Sequence, residues 1–168
     1  KQDDLPGDRI LSMFSDLNNN LWVGTLGNHV SFIRSGDGGV EVFGPEAGVE
    51  QPQVNCIYSD TRGRMMIGTQ DGGLYRRSKG KFEKVKLASG NNVRLDNISI
   101  NAIREDGGGD LWIATFNGLN RLKKTPGGGI RIDNLLENHV VSCLFPCNEN
   151  GLWIGTADGG LNKFDRKN

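Results

Sequence analysis

The sequence predicts an all-β protein made of four tandem repeats, each a small antiparallel sheet that forms one blade of a β-propeller. Glycine accounts for 25 of the 168 residues, about twice its usual share. No stretch of eleven or more residues places apolar side chains at helical spacing. Glycine and asparagine tolerate positive φ angles. A composition of this kind is therefore typical of proteins built from short strands joined by tight turns.

The repeat is anchored on a threonine that occurs four times, at Thr25, Thr69, Thr115 and Thr156. The spacings of 44, 46 and 41 residues match the about 40–50 residues of a four-stranded propeller blade. The threonine ends a Trp-Ile-Gly-Thr motif, in which methionine replaces tryptophan in the second copy and alanine replaces glycine in the third. The motif residues are Trp22, Gly24, Met66, Gly68, Trp112, Ala114, Trp153 and Gly155. We place the repeats at about 5–48, 49–94, 95–135 and 136–168, within one propeller segment spanning 1–168.

Each repeat contains strands in a fixed order. The predicted first strands are Ile10–Ser15, Val54–Ser59, Ile100–Glu105 and Val140–Phe145. The Trp-Ile-Gly-Thr motif forms the second strand, and a third strand follows the next turn. Fourth strands are predicted in three copies, at Val40–Phe43, Phe82–Leu87 and Ile130–Asn134. The first strands carry small residues at one register, as a crowded position near a propeller axis requires: Ser12, Cys56, Ala102 and Cys143.

Recurring aspartates and tryptophans have both a structural and a functional interpretation. Asp16, Asp60 and Asp106 stand nine residues before the threonine, where the fourth copy has Cys147. They could be metal ligands, but their place at a hairpin entry favours capping of the turn. The three tryptophans could be sugar-stacking platforms, but their fixed register in a strand favours packing between blades.

Composition and motifs argue against several functional classes. Twenty basic and twenty acidic residues give no net charge, unlike the basic excess of a nucleic-acid-binding protein. No apolar run approaches 18 residues. His29 and His139 lack partners at zinc spacing, and no catalytic fingerprint is present. We therefore expect no metal, no cofactor and no catalytic residue. We also expect all three cysteines to be buried and to act as small apolar residues.

The residues from Asp106 to Leu122 and from Gly151 to Asp165 carry a pattern that resembles the two-component regulator propeller repeat, Asp-x-x-Gly-x-Leu-Trp-Ile-Gly-Thr-x-x-Gly-Gly-Leu-Asn-Arg-Phe. Such repeats form the periplasmic sensor region of hybrid histidine kinases in Bacteroidetes, typically as seven-bladed propellers, and many of these systems respond to oligosaccharides. The resemblance implies a non-enzymatic sensor segment of an inner-membrane protein. The membrane, kinase and DNA-binding parts would then lie elsewhere in a longer chain.

Positions that differ between repeats are the candidate ligand-binding residues, because positions that recur serve the fold. They fall in the loops between second and third strands and between blades, which share one mouth of a propeller. They are Asn28, His29, Gln70, Asp71, Arg94, Asn97, Phe116, Asn117, Asn138, His139 and Asp158. Amides, an aromatic ring and a few charges suit an oligosaccharide, although solvated loops have the same composition. Rival functions are a propeller enzyme of lyase or glycosidase type and a protein-interaction scaffold.

Asn168 comes soon after the third strand of the last repeat. We therefore interpret the chain either as a piece of a larger propeller or as a self-contained four-bladed ring. A piece would expose the apolar faces of its two terminal blades. Exposed apolar faces of this size predict self-association, for example as a dimer.

Overall fold

The computed structural model describes residues 9–27, 29–50, 53–85, 99–147 and 151–165, which form four antiparallel sheets with strands in sequential order. The first sheet contains β1 (Ile10–Ser15), β2 (Leu21–Thr25), β3 (Val30–Ile33) and β4 (Val40–Phe43). The second contains β5 (Val54–Ser59), β6 (Met65–Thr69), β7 (Gly73–Ser78) and β8 (Lys81–Lys84). The third contains β9 (Ile100–Glu105), β10 (Leu111–Thr115), β11 (Gly118–Lys124) and β12 (Ile130–Leu135). The fourth contains β13 (Val141–Cys147), β14 (Gly151–Thr156) and β15 (Gly160–Asp165).

These sheets confirm the predicted fold class of all-β, four-repeat propeller blades. A short 3₁₀ turn at Pro45–Ala47 lies between the first and second sheets. Within the part of the chain that the structure describes, no helix has the length and apolar character needed to cross a membrane.

The first strand of every sheet lies at the centre of the assembly, where β1, β5, β9 and β13 contact one another in that order. Side-chain donors on three of these strands reach the backbone of the next one. Ser12 Oγ donates to the Val54 carbonyl at 3.0 Å. Asn55 Nδ2 donates to the Ile100 carbonyl at 3.2 Å, and Asn101 Nδ2 to the Val141 carbonyl at 2.8 Å. The blades are therefore linked at the centre by hydrogen bonds that satisfy the carbonyl groups at the strand entries.

Three hydrophobic clusters fill the spaces between consecutive sheets. The first joins Trp22 and Phe43 to Ile67 and Tyr75. The second contains Met66 of the second sheet with Leu122 and other residues of the third, and the last joins Trp112 to residues of β13 to β15. Each sheet buries a face only by packing on its neighbour, which explains why the repeats occur in tandem.

Small residues face each other across the first and second strands, as the sequence predicts. The aligned pairs are Ser12 with Gly24, Cys56 with Gly68, Ala102 with Ala114, and Cys143 with Gly155. A Cβ atom built on Gly68 would lie 2.4 Å from Ile100 Cγ2 and 2.6 Å from Cys56 Sγ. The third blade accommodates Ala114 opposite another alanine, which carries neither a hydroxyl nor a thiol.

The recurring threonine closes the turn that follows its own strand. Its Oγ1 donates to the backbone carbonyl three or four residues later in every blade. The acceptors are His29, Gly73, Gly118 and Gly160, at 3.2, 3.1, 2.9 and 3.0 Å. This local bond accounts for the retention of threonine at one register in all four copies.

The recurring aspartate closes the preceding turn. Oδ1 of Asp106 accepts hydrogen bonds from the backbone N–H groups of Gly108 and Asp110 at 2.9 and 3.1 Å. Asp16 accepts the equivalent bonds from Asn18 and Asn20, both at 3.0 Å. Asp60 does the same for Arg62 and Arg64 at 3.0 and 2.9 Å. These bonds support the turn-capping interpretation of the three aspartates.

Two expectations need correction at the fourth blade. Cys56 is buried, but Cys143 is exposed and Cys147 is only partly buried, and all three thiols are free. The expectation that all three cysteines are buried is therefore wrong. Trp153 is 37% exposed, whereas Trp22 and Trp112 are 4% and 0% exposed, so Trp153 is not packed between blades as predicted. Both differences have one cause, because no described sheet covers that face of the fourth blade.

Candidate functional site

The turns between second and third strands lie at the same end of the molecule as the segments that lead into the first strands. In an antiparallel pair, the end of the second strand lies beside the start of the first. Backbone hydrogen bonds make this connection in each blade. They join Leu26 N to Arg9 O, Gln70 N to Gln53 O, Phe116 N to Ser99 O and Ala157 N to Val140 O, at 2.9, 3.0, 3.2 and 2.9 Å. We call this end of the molecule the mouth.

Most of the predicted site residues belong to the segments that form the mouth. Those described are His29, Gln70, Asp71, Phe116, Asn117, Asn138, His139 and Asp158. Asn28, Arg94 and Asn97 lie outside the described residues. The predicted set therefore clusters by chain topology, although its members differ in what they contact.

Asp71 links two blades and is not a free ligand group. Its carboxylate Oδ1 accepts a hydrogen bond from Ser99 Oγ at 2.7 Å, and its own backbone N–H donates to the same hydroxyl oxygen at 3.2 Å. Asp71 also adopts a φ of 58°, a left-handed conformation that aspartate tolerates in turns. Its position therefore serves the junction of the second and third blades.

The two histidines lie beside different carboxylates. His139 Nδ1 is 3.2 Å from Asp158 Oδ2, and both side chains are about half exposed. His29 lies near Glu46, where backbone N–H groups of Glu46 and Gly44 hold the pKa of the Glu46 carboxyl below its usual range and His29 contributes to the same effect. Across residues 9–27, 29–50, 53–85, 99–147 and 151–165, no three histidine, cysteine or acidic side chains are grouped so that they could hold a metal ion.

A cavity of about 340 Å³ opens at the mouth, and its lining comes from the central strands and their lead-in segments. The lining residues are Leu11, Asn55, Asn101, Phe116, Val140 and Ser142. Four of these residues are the second residue of the first strand of their blade: Leu11, Asn55, Asn101 and Ser142. The cavity therefore combines side chains from all four blades.

Phe116 is the exposed aromatic residue of this cavity, with 57% of its surface accessible. It follows Thr115 in the turn that Thr115 closes, and the adjacent Asn117 N donates to Thr115 Oγ1 at 3.1 Å. The turn thus places an aromatic residue in the lining of the same cavity as Asn55 and Asn101. An arrangement of one ring face and a few amides can bind a polar ligand that also has apolar faces.

Sequence reasoning found Phe116 but missed Asn55 and Asn101. The polar side chain of a strand residue does not by itself distinguish a position that lines a cavity from one on the outer surface. The available signal was their place one residue before the small residues Cys56 and Ala102, which alternation of side chains turns toward the opposite face of the strand.

Comparisons with known proteins agree with the repeat and the fold. Residues 94–117 match the Two component regulator propeller family, which confirms the resemblance at this repeat. No curated protein matches the sequence.

Solved structures with the same fold include two extracellular domains of hybrid two component systems from B. thetaiotaomicron. BT4673 is 23% identical with a TM-score of 0.77, and the match covers 98% of this chain and 22% of that one. BT3049 is 19% identical with a TM-score of 0.72, covering 98% and 23%. Virginiamycin B lyase from Staphylococcus aureus is 19% identical with a TM-score of 0.65, covering 94% and 55%. The chain therefore spans about a fifth of the two extracellular domains it matches.

Proposed function

We propose that this chain is a ligand-sensing propeller segment of a hybrid two-component sensor histidine kinase and that it binds an oligosaccharide at the mouth. The segment acts in the periplasm, as part of an inner-membrane protein, and it binds its ligand without catalysing a reaction. Binding changes the relative arrangement of two sensor chains and so signals transcription of genes for glycan use. The family match over residues 94–117 and the likeness in fold to extracellular domains of two bacterial hybrid two component systems support this proposal.

The observation that carries the proposal is the position of Phe116 in a cavity lined by Asn55 and Asn101. A sugar ring has an apolar face that stacks on an aromatic ring, and hydroxyl groups at its edge that bond to amides. The Nδ2 groups of both asparagines already donate to the neighbouring blade. Their carbonyl oxygens are the acceptors that a sugar hydroxyl would use.

Titration calorimetry with a panel of neutral and acidic oligosaccharides tests the proposal. We expect at least one oligosaccharide to bind, and we expect Phe116→Ala to weaken that binding at least tenfold because the stacking surface is lost. Leu17→Ala is the matched control, since Leu17 is 87% exposed in the turn after β1, at the other end of that strand. Equal affinities for Phe116→Ala and the native chain would contradict the site. Cleavage of an oligosaccharide by the chain would contradict the non-enzymatic role.

A further inference from the structure

The three junctions between consecutive blades differ at the position of the repeat's tryptophan. At the junction of the third and fourth blades, Phe164 packs on Trp112 with 4.7 Å between ring centres. Trp22 holds the same position at the first junction and is 4% exposed. At the middle junction Met66 stands in place of the tryptophan and Leu122 in place of Phe164. The middle junction therefore lacks an indole ring.

A cavity of about 120 Å³ opens beside Met66, between the second and third blades. Met66, Leu74 and Leu122 contribute to its apolar lining and are at most 7% exposed. An apolar cavity of about 150 Å³ is large enough to bind benzene, so this space is close to the size of one aromatic ring. Asp60 and Gly109 also line it, and they belong to turns between first and second strands, at the end opposite to the mouth. Both blades that form the cavity have a neighbouring blade on each side within this chain.

The third blade shows what an arginine beside this position requires. Arg121 pairs with Trp112 across the second and third strands and is 7% exposed. Its guanidinium carbon lies 4.9 Å from the centre of the Trp112 ring, and its Nε donates to Asp110 Oδ2 at 2.9 Å. An aromatic ring and a carboxylate thus stabilise the charge of this buried guanidinium.

The aligned arginine of the second blade, Arg76, has neither of these partners. Met66 replaces the tryptophan, and Arg64 replaces Asp110, four residues after the turn aspartate. The Arg64 Nε donates to Asp60 Oδ2 at 2.6 Å and so occupies the turn carboxylate. Among the residues that the structure describes, Arg76 forms no ion pair and lies over no aromatic ring. Arg76 lines the cavity, which therefore places an unpaired guanidinium beside an apolar space of ring size.

We propose that this cavity binds an aromatic carboxylate, with the ring against Met66 and Leu122 and the carboxylate hydrogen-bonded to Arg76. One such ligand supplies the two partners that Arg121 obtains from the protein itself. The site lies at the opposite end from Phe116 and does not depend on the oligosaccharide proposed above.

The charges around the cavity favour an anionic ligand. Four basic and two acidic residues line it: Arg64, Arg76, Lys123 and Lys124, with Asp60 and Glu105. Both carboxylates have partners in the protein, since Asp60 bonds to Arg64 and Glu105 Oε2 accepts from the Thr61 N–H at 2.8 Å. A carboxylate on a ligand therefore meets an excess of positive charge, and its hydrogen bonds to a guanidinium are of the stronger, charge-assisted kind.

An NMR titration of the 168-residue chain with phenylacetate tests the proposal. We expect saturable binding, with amide shifts that are largest around Leu74 and Leu122. Phenylacetamide has nearly the same shape without the charge and should bind about tenfold more weakly, because hydrogen bonds to charged groups are the stronger ones. Hexanoate carries the same carboxylate on a flexible chain and should also bind more weakly, because its chain loses more rotational freedom.

Two substitutions separate the ring position from the charge. Met66→Trp places the repeat's own side chain in the cavity and should abolish phenylacetate binding, while circular dichroism checks that the variant folds. Arg76→Gln changes an exposed side chain, so the variant should fold. It should weaken phenylacetate binding about tenfold and leave phenylacetamide binding unchanged. Arg34→Gln removes the same charge from an exposed position of the first blade and is the matched control.

Several outcomes would overturn the proposal. One is the absence of saturable phenylacetate binding, and another is a set of amide shifts confined to the mouth around Phe116. Equal affinities for phenylacetate and phenylacetamide would exclude recognition of the carboxylate. Tighter binding of hexanoate than of phenylacetate would assign the cavity to an alkyl chain instead of a ring. Equal effects of Arg76→Gln and Arg34→Gln would show that only the net charge of the protein matters.

Discussion

The indole Nε1 of Trp112 donates a hydrogen bond to Asp106 Oδ2 at 3.0 Å, so the residue that closes the turn also holds the tryptophan that packs between blades. Trp22 and Asp16 repeat this bond at 3.1 Å. In the second blade Met66 has no N–H group, and Arg64 Nε donates to Asp60 Oδ2 instead, at 2.6 Å. The aspartate and tryptophan of the repeat are therefore one structural unit.

Replacing Asp106 with alanine should destabilise the protein strongly. The change leaves the Trp112 indole and the turn amides without their acceptor in a buried site, and each unpaired buried donor costs about 1–3 kcal/mol. We expect the free energy of unfolding to fall by about 2–4 kcal/mol, measured by urea denaturation. Asp16→Ala, in a more exposed turn, should cost less. Equal losses for the two variants would contradict a role that depends on burial.

The small-residue pairs predict a compensating double substitution in the fourth blade. A Cβ atom on Gly155 would lie 2.6 Å from Cys143 Sγ, while its next neighbour is 3.9 Å away. Gly155→Ala alone should therefore cost about 1 kcal/mol through overpacking. Adding Cys143→Ala recreates the Ala102–Ala114 pair of the third blade and should restore the loss. A thermodynamic cycle of the four proteins measures the coupling, and strictly additive effects would count against a direct clash.

The strands and turns were predictable because their signals are local. Threonine, aspartate and glycine act within a few residues of their own positions, so the sequence of one blade is enough to interpret them. The role of Arg77 was not predictable from the sequence. Arg77 interrupts the apolar pattern of the third strands, and its guanidinium lies over the Trp22 ring of another blade. The exposure of Cys143 and the lining role of Asn55 likewise depend on which surface faces a neighbouring blade, which a repeat pattern alone does not contain.

Replacing Arg77 with leucine should stabilise the junction between the first two blades. The guanidinium gains a cation–π interaction with Trp22 and Phe43, at 5.4 and 5.1 Å from the ring centres, worth about 1–2 kcal/mol. Its Nε is buried and has no hydrogen-bond partner among the described residues, and an unpaired buried donor costs about 1–3 kcal/mol. The residue of the third blade that aligns with Arg77 is Leu122, which packs in the cluster between the second and third blades.

We therefore expect Arg77→Leu to raise the free energy of unfolding by about 1 kcal/mol, because the relieved desolvation exceeds the lost ring contact. Arg76→Leu is the control on an exposed position of the same strand and should change stability by less than about 0.5 kcal/mol. Urea denaturation of the three proteins provides the comparison. A loss of stability in Arg77→Leu would mean that the ring contact is the larger effect.

Acid should destabilise the protein because several carboxylates are better stabilised in the folded state than in the unfolded chain. A hydrogen bond from Lys123, opposed by partial burial and aided by Arg131, lowers the pKa of Asp133 below its ordinary 3.8. Burial alone would raise the pKa of Asp60, but hydrogen bonds from the Arg64 side chain and from the backbone of Arg64 and Arg62 lower it overall. A lowered folded-state pKa contributes stability above the unfolded value of 3.8, and this stability is lost as the pH falls through the folded value.

The free energy of unfolding should therefore be nearly constant above about pH 5 and should fall progressively as the pH decreases below about 4. Asp133→Asn removes one of these titrating carboxylates, which lies on an accessible strand surface. At pH 6 the variant should be less stable than the native chain, because it lacks the ionised Asp133. At pH 3 the two stabilities should approach each other, because the native carboxylate is then losing its charge. Urea denaturation across this pH range measures both curves. Parallel curves for the two proteins would show that the ion pairs of Asp133 with Lys123 and Arg131, both at 2.7 Å, contribute no pH-dependent stability.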